Sequence, residues 1–329
     1  MTNVTLQDVA QAAGVSLATV SRALHGGYVS AEKRHRIELA VRTLRYIPNQ
    51  SAASLKRNRS HTIGHLMRFH DNLLASRIND GLARAAQEGG YSLFSVTANG
   101  DGEESRKMTE DLISRRMDGI VVTSCRGLPA QTLAQLSEMG IPTVLIERWP
   151  PGALGDRIRI DDVSGARCAV AHRLNTGRRH IAFIGCGDFS QAVERERLWG
   201  YREALESAGV PEQPRLIRLT ADYSPEAGYQ AMESILEAGP CDAVFCASDL
   251  LAAGVLQSLY RRSIRVPDQV AVTGYDNTVS AMLSPKISSV ALDCNEIGRQ
   301  AMALLLRRME NPALEEKEIT ILPTLIARD

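Results

Sequence analysis

The stretch GVSLATVSRAL, residues 14–24, combines side chains that could read the bases of a nucleic acid. Arg22 carries a planar fork of N–H donors that fits the edge of guanine, and hydroxyl side chains surround it in the stretch. Leu17 and Ala18 form no hydrogen bonds, but apolar side chains of this kind can contact thymine methyl groups. Residue types alone do not show what this stretch contacts, and the surrounding pattern has to decide it. The alternative is that Leu17 belongs to a hydrophobic core.

The residues around this stretch predict two short helices joined by a turn. Thr5 is a suitable N-cap for a helix over residues 5–12, and Asp8 at the N3 position can complete a capping box. Gly14 permits a sharp turn, and Ser16 is a suitable N-cap for the next helix. This spacing predicts a helix-turn-helix, whose second helix enters the major groove by its N-terminal end. An ordinary helical hairpin is the alternative.

A third helix and a short basic segment follow. The stretch AEKRHRIELAVRTLRY after Ser30, its expected N-cap, has apolar residues at helical spacing and should end before Pro48. In NQSAASLKRNRS, Asn49 can cap a segment that is too short to be stable alone as a helix. We expect this segment to fold only against a partner, and the alternative is a flexible linker.

The charge of the chain is divided unevenly, although its net value is zero. Residues 1–60 hold nine Lys and Arg against three acidic residues, a balance of +6, and the remainder carries −6. A small basic segment beside a larger acidic body indicates an N-terminal polyanion binder.

Length and composition indicate a globular protein of two or three domains. With 329 residues and 44% hydrophobic residues, the chain is too long for one ordinary core and can bury its apolar side chains well. It has no run of about 18 apolar residues, and its start lacks the pattern of a signal peptide, so we expect no membrane span and a cytoplasmic protein. Its six cysteines form no CxxC pair, which favours reduced thiols.

From residue 62 onward, strand-like runs alternate with amphipathic stretches of helical length. The strand-like runs fall into two sets, TIGHLMRF, YSLFSV, DGIVVTS and PTVLIER, and then HIAFIGC, PRLIRL, DAVFCAS and QVAVTGYDN. Alternation of this kind predicts parallel sheets that are covered by helices on both faces. Two sets imply two lobes, with a ligand cleft at the carboxyl ends of the strands.

The sequence offers no catalytic machinery, metal site or cofactor loop that we recognise. The GCG of IAFIGCGDF resembles the start of a dinucleotide loop but lacks its third glycine. His61 and His65 on one strand would stand roughly 13 Å apart at about 3.3 Å per residue, too far to share a metal ion. We therefore expect no cofactor, no metal and no catalytic residues.

Four stretches of the first part of the chain carry a family resemblance: VTLQDVAQAAGVSLATVSRAL, VSAEKR, YIPNQSAASL and TIG. With them the chain resembles the lactose-repressor and purine-repressor family of bacterial regulators, and the resemblance covers essentially its whole length. It implies a small all-α helix-turn-helix head and an α/β body of two doubly wound parallel-sheet lobes, like the periplasmic sugar-binding proteins. The implied domains are a DNA-binding head (1–47), a hinge helix or linker (48–60) and an effector-binding and dimerisation body (61–329).

The family pattern also implies which residues contact DNA. Leu17, Ala18 and Arg22 should face base edges, while other polar head residues lie near phosphates or sugars. In the paired hinge helices, Leu55 should wedge between base pairs and Ala52 should lie against the floor of the minor groove. The full expected set is Thr5, Leu6, Ser16, Leu17, Ala18, Thr19, Ser21, Arg22, His25, Ser30, Asn49, Ala52 and Leu55.

For the body, the resemblance implies an effector site at the strand ends. Arg197 should clamp a ligand oxygen, Asp276 should accept ligand hydroxyls, and Tyr223 should stack on a sugar or base. The full expected set is Phe69, Asp71, Ser124, Arg148, Asp161, Arg197, Tyr223, Ser248 and Asp276. Two alternatives stay open: Asp276 could be a turn residue, and Arg197 could pair with Glu194 or Glu196 on the surface of its own helix.

The stretch RFHDNLLA after the first strand departs from the pattern of many relatives. Its Arg68 and His70, together with Arg148, add positive character near the expected cleft. A sugar acid or a sugar phosphate is therefore a possible effector beside a neutral sugar.

These expectations together describe a ligand-responsive repressor. It would bind a palindromic operator as a homodimer and stay a dimer, because no leucine heptad follows TLIARD, and a small-molecule effector in the cleft would control its affinity. The competing interpretations are a sugar-binding transport protein without a regulatory role and an enzyme of sugar metabolism. The first would have no use for a basic head, and the second would need a nucleophile, metal set or cofactor loop.

Overall fold

The computed structural model describes residues 4–24, 26–46, 59–67, 73–98, 102–123, 128–150, 152–187 and 192–328. The chain divides into two compact units, Met1–Ser60, here called the head, and His61–Asp329, here called the body. The predicted hinge over residues 48–60 lies outside the described residues except for its last two positions.

Three helices form the head: α1 (Leu6–Ala13), α2 (Leu17–Leu24) and α3 (Ala31–Leu44). Their apolar faces meet in one cluster, which includes the fully buried Val9 and Val20. The predicted periodicity of α3 is confirmed, because Ile37 and Ala40 lie in this cluster with partly buried neighbours.

The ends of α3 differ from the prediction. The helix stops at Leu44 rather than continuing to Tyr46, because Arg45 adopts a left-handed backbone (φ 50°) and turns its N–H back to the carbonyls of Val41 and Arg42. At the other end Ser30 occupies the N-cap position, but its side chain makes no capping hydrogen bond.

Two six-stranded sheets form the two lobes of the body. The first, in lobe 1, has the order β11-β5-β4-β3-β1-β2, and the second, in lobe 2, has the order β12-β10-β9-β8-β6-β7. All neighbouring strands are parallel except β12, which is antiparallel to β10. The strands are β1 (Thr62–Met67), β2 (Ser92–Thr97), β3 (Gly119–Thr123), β4 (Thr143–Ile146), β5 (Asp156–Ile160), β6 (Ile181–Cys186), β7 (Ile217–Thr220), β8 (Ala243–Cys246), β9 (Ala271–Asp276), β10 (Ser288–Ala291), β11 (Glu318–Ile321) and β12 (Thr324–Ile326).

Helices cover both faces of each sheet, as the alternating pattern predicts. They are α4 (Leu73–Glu88), α5 (Gly102–Ser114), α6 (Ala130–Glu138), α7 (Asp162–Asn175), α8 (Ala192–Ser207), α9 (Pro225–Ala238), α10 (Asp249–Arg261) and α11 (Cys294–Glu310), with a 3₁₀ turn at Pro214–Leu216. Side chains alternate between the two faces of a strand, so odd- and even-numbered residues of β1 pack on opposite sides of the sheet. Ile63 lies in one hydrophobic cluster of lobe 1 and Leu66 in the other. No described helix has both the length and the apolar character that a membrane span requires.

The chain crosses between the lobes three times. It passes from β5 of lobe 1 to α7 of lobe 2 at Asp161, returns from β10 to α11 near Asp293, and crosses again from β11 to β12. The second crossing brings α11 against α4, where Gly81 and Gly298 let the helices approach so closely that a Cβ at Gly81 would lie 2.1 Å from the carbonyl oxygen of Cys294. After these crossings, residues at the strand ends of the two sheets contact each other, as Arg148 of lobe 1 does with Glu194 of lobe 2, and the region between these ends is here called the cleft.

Candidate functional site

The outer face of α2 exposes the residues that sequence reasoning assigned to base contact. Leu17 is 48% exposed and does not belong to the core of the head, so the alternative for this residue is wrong. Ala18 and Arg22 are exposed as well, while Val20 and Ala23 point inward. Since α2 turns every 3.6 residues, burying these two residues leaves a mixed apolar and cationic face outside.

Capping interactions hold the two helices of the predicted helix-turn-helix. The Thr5 N–H donates to Asp8 Oδ2 (2.7 Å), and the Asp8 N–H donates to Thr5 Oγ1 (3.3 Å), so the predicted capping box is present. The Thr5 N–H and the Thr5 hydroxyl both donate to the Asp8 carboxylate and lower the pKa of Asp8. In α2, the Thr19 N–H donates to Ser16 Oγ (3.2 Å), and Gly14 between the helices has a left-handed backbone (φ 61°).

The other expected DNA contacts are placed unevenly. Leu6 opens α1, Ser21 lies half-buried on α2, and Ser30 is exposed before α3. Four further residues lie outside the part of the chain that the structure describes: His25, Asn49, Ala52 and Leu55.

In the body, most of the expected effector residues come together at the strand ends that border the cleft. Arg148 and Asp161 follow β4 and β5 of lobe 1, and the others belong to lobe 2: Arg197, Tyr223, Ser248 and Asp276. Phe69, Asp71 and Ser124 lie outside the described residues, as do Arg68 and His70.

Arg197 is the centre of a buried ion network in lobe 2. Its guanidinium is 2% exposed, donates from Nε to Asp162 Oδ1 (2.8 Å) and from Nη2 to Asp276 Oδ1 (3.4 Å). Nη1 donates to the carbonyl of Ala247 (2.6 Å), and the guanidinium lies 3.8 Å from the centroid of the Tyr275 ring. Burial disfavours its charge, but Asp162 and Asp276 outweigh burial and raise the pKa of Arg197.

The alternative partners of Arg197 are engaged elsewhere. Glu194 pairs with Arg148 (3.1 Å) and Glu196 pairs with Arg159 (2.5 Å). The interpretation of Arg197 as a surface residue paired along its own helix is therefore wrong. Arg197 lies in the second turn of α8, and its side chain reaches Asp162 at the start of α7 and Asp276 at the end of β9.

Asp276 occupies a turn, as one of the two interpretations has it, and its carboxylate also lies beside Arg197. It ends β9 with a left-handed backbone (φ 82°), and its carboxylate is 15% exposed beside Arg197. Burial raises the pKa of Asp276 to about 7, although Arg197 opposes the shift. The loop that follows this strained turn is fixed by Asp249, whose Oδ2 accepts the N–H groups of Val279 and Ser280, both at 3.0 Å.

Arg148 crosses the cleft from lobe 1 to lobe 2. Its Nη1 lies 3.1 Å from Glu194 Oε1, its Nε lies 3.9 Å from Glu147 Oε1, and its guanidinium lies 5.9 Å from the centroid of the Tyr223 ring. The Tyr223 hydroxyl donates to the same Glu194 oxygen (3.2 Å). Two glutamates thus compensate the positive charge that was expected to favour an anionic effector.

Asp161 and Ser248 serve as helix caps. Asp161 Oδ1 accepts the N–H of Ser164 (3.0 Å) at the start of α7, and Ser248 Oγ accepts the N–H of Leu251 (3.2 Å) at the start of α10. Ser248 is 6% exposed. Both are at the cleft edge, but their side chains first satisfy backbone groups of their own helices.

Two further arginines of lobe 1 contact lobe 2. Arg77 of α4 donates to the carbonyls of Asn277 (2.9 Å) and Thr278 (2.6 Å), and Arg159 of β5 pairs with Glu196. Together with the pair of Arg148 and Glu194, these contacts join the two lobes within the described part of the chain.

Sequence reasoning did not assign roles at the site to Glu147, Asp162, Glu194 or Tyr275. The signals were present in part, since RIDD contains Asp162 and GYDN contains Tyr275. Which of two adjacent acids points inward depends on the packing of α7, and no local pattern specifies it.

Within the described residues, no group of three or more His, Cys, Asp or Glu side chains is arranged to hold a metal ion. His65 is fully buried, with Nδ1 2.9 Å from Asn79 Oδ1 and Nε2 2.9 Å from Thr123 Oγ1. Burial lowers the pKa of His65 to about 4, which makes it a neutral core residue at physiological pH.

Two family models match the chain, one in each unit. Residues 5–49 match the bacterial regulatory proteins of the lacI family, and residues 170–329 match the periplasmic binding protein-like domain.

The chain is also similar to known proteins along nearly its whole length. The ribose operon repressor of Escherichia coli (strain K12) is 32% identical over 329 residues, and the match covers 98% of both chains. The solved structure of the lac repressor dimer bound to operator and the anti-inducer ONPF has a TM-score of 0.85 at 26% identity, covering 99% of this chain and 98% of that chain. The transcriptional regulator CelR in complex with cellobiose has a TM-score of 0.73 at 31% identity and 99% coverage of both chains.

Proposed function

Because the chain belongs to the LacI family of bacterial regulatory proteins, as its motifs predicted, we propose that it is a ligand-responsive repressor. It binds a palindromic operator as a cytoplasmic homodimer, and a small molecule in the cleft of the body sets its affinity for DNA. It acts by binding and is not an enzyme.

The observation that carries this proposal is the outer face of α2. The face joins exposed Leu17 and Ala18 to the guanidinium of Arg22 in a chain that is 32% identical to an operon repressor over its whole length. Leu17 and Ala18 contact thymine methyl groups, and Arg22 donates to guanine in the major groove. Leu55 and Ala52 of the hinge act in the minor groove.

Support for a sugar-like effector comes from the cleft and from the names of relatives. Arg197 and Asp276 meet there, and the Tyr223 ring lies in the same cleft. A polyol is bound by such a set, in which an arginine donates to its oxygens, a carboxylate accepts from its hydroxyls and an aromatic ring packs against its apolar face. One relative is named for a ribose operon, and one solved relative contains cellobiose. The effector class comprises sugars, sugar acids and sugar phosphates.

The cleft and the DNA are coupled through linkage. The effector changes the separation of the two lobes, which shifts the dimer contacts of lobe 1 and so the spacing of the hinges. The hinges fold on DNA in only one arrangement, and the coupling is reciprocal. Replacing Leu55 by Ala should therefore weaken operator affinity and bending together.

A titration of DNA binding against salt tests the proposal. The affinity of the wild type for operator fragments selected from a random library should fall steeply as salt rises, because phosphate contacts release counterions. Arg22→Ala should weaken specific binding by about 1–3 kcal/mol and relax the preference at one base pair.

The matched control is Arg299→Ala, which removes the same charge from an exposed ion pair with Glu296 on α11. It should leave operator affinity unchanged. A transport protein would show no salt-dependent DNA binding, and an equal loss in both variants would contradict the role of Arg22.

A further inference from the structure

Glu194, which pairs with Arg148 across the two lobes, has one buried carboxylate oxygen without a hydrogen-bond partner among the described residues. Its side chain is 0% exposed, and its Oε1 already accepts from Arg148 (3.1 Å) and from the Tyr223 hydroxyl (3.2 Å). Its Oε2 is buried and has no partner among the described residues. A buried carboxylate oxygen without a donor is costly, so this position calls for a donor from a bound molecule.

The position of Glu194 places this oxygen between the lobes. Glu194 lies in the first turn of α8, the helix that follows β6 of lobe 2 along the chain. Arg148, its partner, extends from the end of β4 in lobe 1. A molecule bound between these strand ends would meet Glu194 together with the Tyr223 ring.

The charges of the described cleft disfavour an anion there. The guanidinium groups of Arg148 and Arg197 are each already paired with carboxylates inside the cleft. Four carboxylates lie beside these two groups: Glu147 and Glu194 beside Arg148, and Asp162 and Asp276 beside Arg197. A carboxylate or phosphate next to Glu194 would face like charges in a site with little water, where repulsion is strong.

We infer that Glu194 is a specificity-determining residue that selects an uncharged polyhydroxylated effector, whose hydroxyl donates to Oε2, over the sugar acid or sugar phosphate of the same skeleton. This inference rests on the proposed function, because it refines the effector class of the same cleft. It differs from the sequence-based suggestion of an anionic effector, which rested on Arg148 together with Arg68 and His70, two residues outside the described part of the chain. An amino sugar shares the donor chemistry, and the experiment separates it from the neutral sugar.

Thermal unfolding of the full chain with matched probes tests the inference. The probes are D-glucose, D-galactose and D-ribose, with glucosamine and galactosamine, gluconate and galactonate, and glucose 6-phosphate and ribose 5-phosphate. A neutral sugar should raise Tm by linkage, and its acid or phosphate should bind at least about 10-fold more weakly. A larger shift with the amino sugar than with the neutral sugar would mean that an ammonium group is the donor, which would overturn the choice of an uncharged effector.

The variant Glu194→Gln separates selection by Glu194 from a general property of the cleft. It removes the negative charge with little change in shape, so the affinity for the neutral sugar should fall and the ratio of acid to sugar affinity should rise at least about 10-fold. Glu203→Gln is the matched control on the same helix, because Glu203 pairs with Arg167 at the surface. Glu203→Gln should leave the ratio of acid to neutral-sugar affinity unchanged.

Several outcomes would overturn the inference. They are a larger Tm shift with the acid or phosphate than with the neutral sugar, no shift with any neutral sugar, and an unchanged ratio in Glu194→Gln. An anionic ligand that stabilises the chain would contradict the role of Glu194 but leave an effector cleft in place. The proposed repressor function fails separately, through the absence of salt-dependent operator binding. If Glu194→Gln does not fold, the wild-type Tm shifts with neutral sugars, sugar acids and sugar phosphates still test whether the cleft prefers an uncharged effector.

Discussion

At the scale of single residues, the cleft depends on guanidinium groups that are compensated by several acceptors at once. Arg197 uses Asp162, Asp276 and the carbonyl of Ala247, and Tyr275 covers its face. Such a group is preorganised, since its partners hold it in place before any ligand arrives. The same partners make it costly to remove.

Replacing Arg197 by Met should destabilise the body by about 3–5 kcal/mol, because it leaves Asp162 buried without its cation. Urea unfolding followed by far-UV circular dichroism would measure the change. Arg167→Met is the control: its 52% exposed side chain pairs with Glu203 at the surface, and its loss should cost at most about 1 kcal/mol. Equal effects of the two variants would show that the Arg197 network is not buried in solution.

Asp276 should make the stability of the body depend on pH. Its pKa is raised by burial from 3.8 to about 7 in the folded chain, so the folded state binds the proton more tightly than the unfolded state. The contribution of Asp276 is therefore complete below about pH 4 and is lost as pH rises to about 7. Between pH 4 and pH 7 this loss lowers the free energy of unfolding by at most about 4 kcal/mol. Asp276→Asn should not show this decrease.

Chemical unfolding of Asp276→Asn and wild type at pH 4, 5, 6 and 7 would test this expectation. His65 contributes in the opposite direction, because burial lowers its pKa to about 4, so only the difference between the two proteins isolates Asp276. Asp268→Asn at a 70% exposed ion pair should reproduce the wild-type profile. Parallel profiles for Asp276→Asn and wild type would mean that Asp276 is ionised in the folded chain at pH 5.

At the scale of elements, the helix-turn-helix is specified by short-range backbone chemistry. The capping box of Thr5 and Asp8 begins α1, Gly14 ends it with a left-handed backbone, and Ser16 begins α2. Each of these interactions spans at most three residues, which is why the sequence was sufficient to predict them. The end of α3 was less accurately predicted, because Arg45 adopts a conformation that is more typical of glycine.

Gly14→Ala should destabilise the head by about 1–2 kcal/mol. A Cβ at this position would have room, with Arg36 Nη1 as its nearest neighbour at 3.8 Å, so the cost comes from the positive φ of 61° alone. Hydrogen exchange of the α1 and α2 amides in the full chain, measured as the temperature is raised, would report the stability of the head. Gln11→Ala on the exposed side of α1 should change stability by less than about 0.5 kcal/mol.

At the scale of the whole molecule, the lobes are linked by arginines that extend from lobe 1 to lobe 2. Arg77 contacts the backbone directly after Asp276, so the loop that carries an expected ligand contact also touches α4 of the other lobe. Arg328 near the C-terminus supports the same loop through Asn277 Oδ1 (2.7 Å). A ligand that moves Asp276 would therefore act on a loop that both lobes hold.

Replacing Arg77 by Met should loosen this connection. It removes two charge-assisted hydrogen bonds to the carbonyls of Asn277 and Thr278, and a loss of about 1.5 kcal/mol would increase amide exchange over residues 277–280 about 10-fold. Hydrogen exchange with mass spectrometry would measure it. Arg84→Met, at an exposed position of the same helix, should leave this exchange unchanged, and equal exchange in both variants would contradict the link.

The general architecture followed from patterns that neighbouring residues carry: helix caps in the head, strand-like runs alternating with amphipathic stretches of helical length in the body, and polar residues after each strand. The resemblance then led to Arg197 and Asp276, and the structure brings them within 3.4 Å of each other. The pairing of Arg148 with Glu194 was not predictable, because these residues are brought together by two separate sheets and by chain crossings that join the lobes. Local chemistry acts over a few residues, whereas the partner of a buried charge is set by tertiary packing, and in this cleft that packing places carboxylates beside both Arg148 and Arg197.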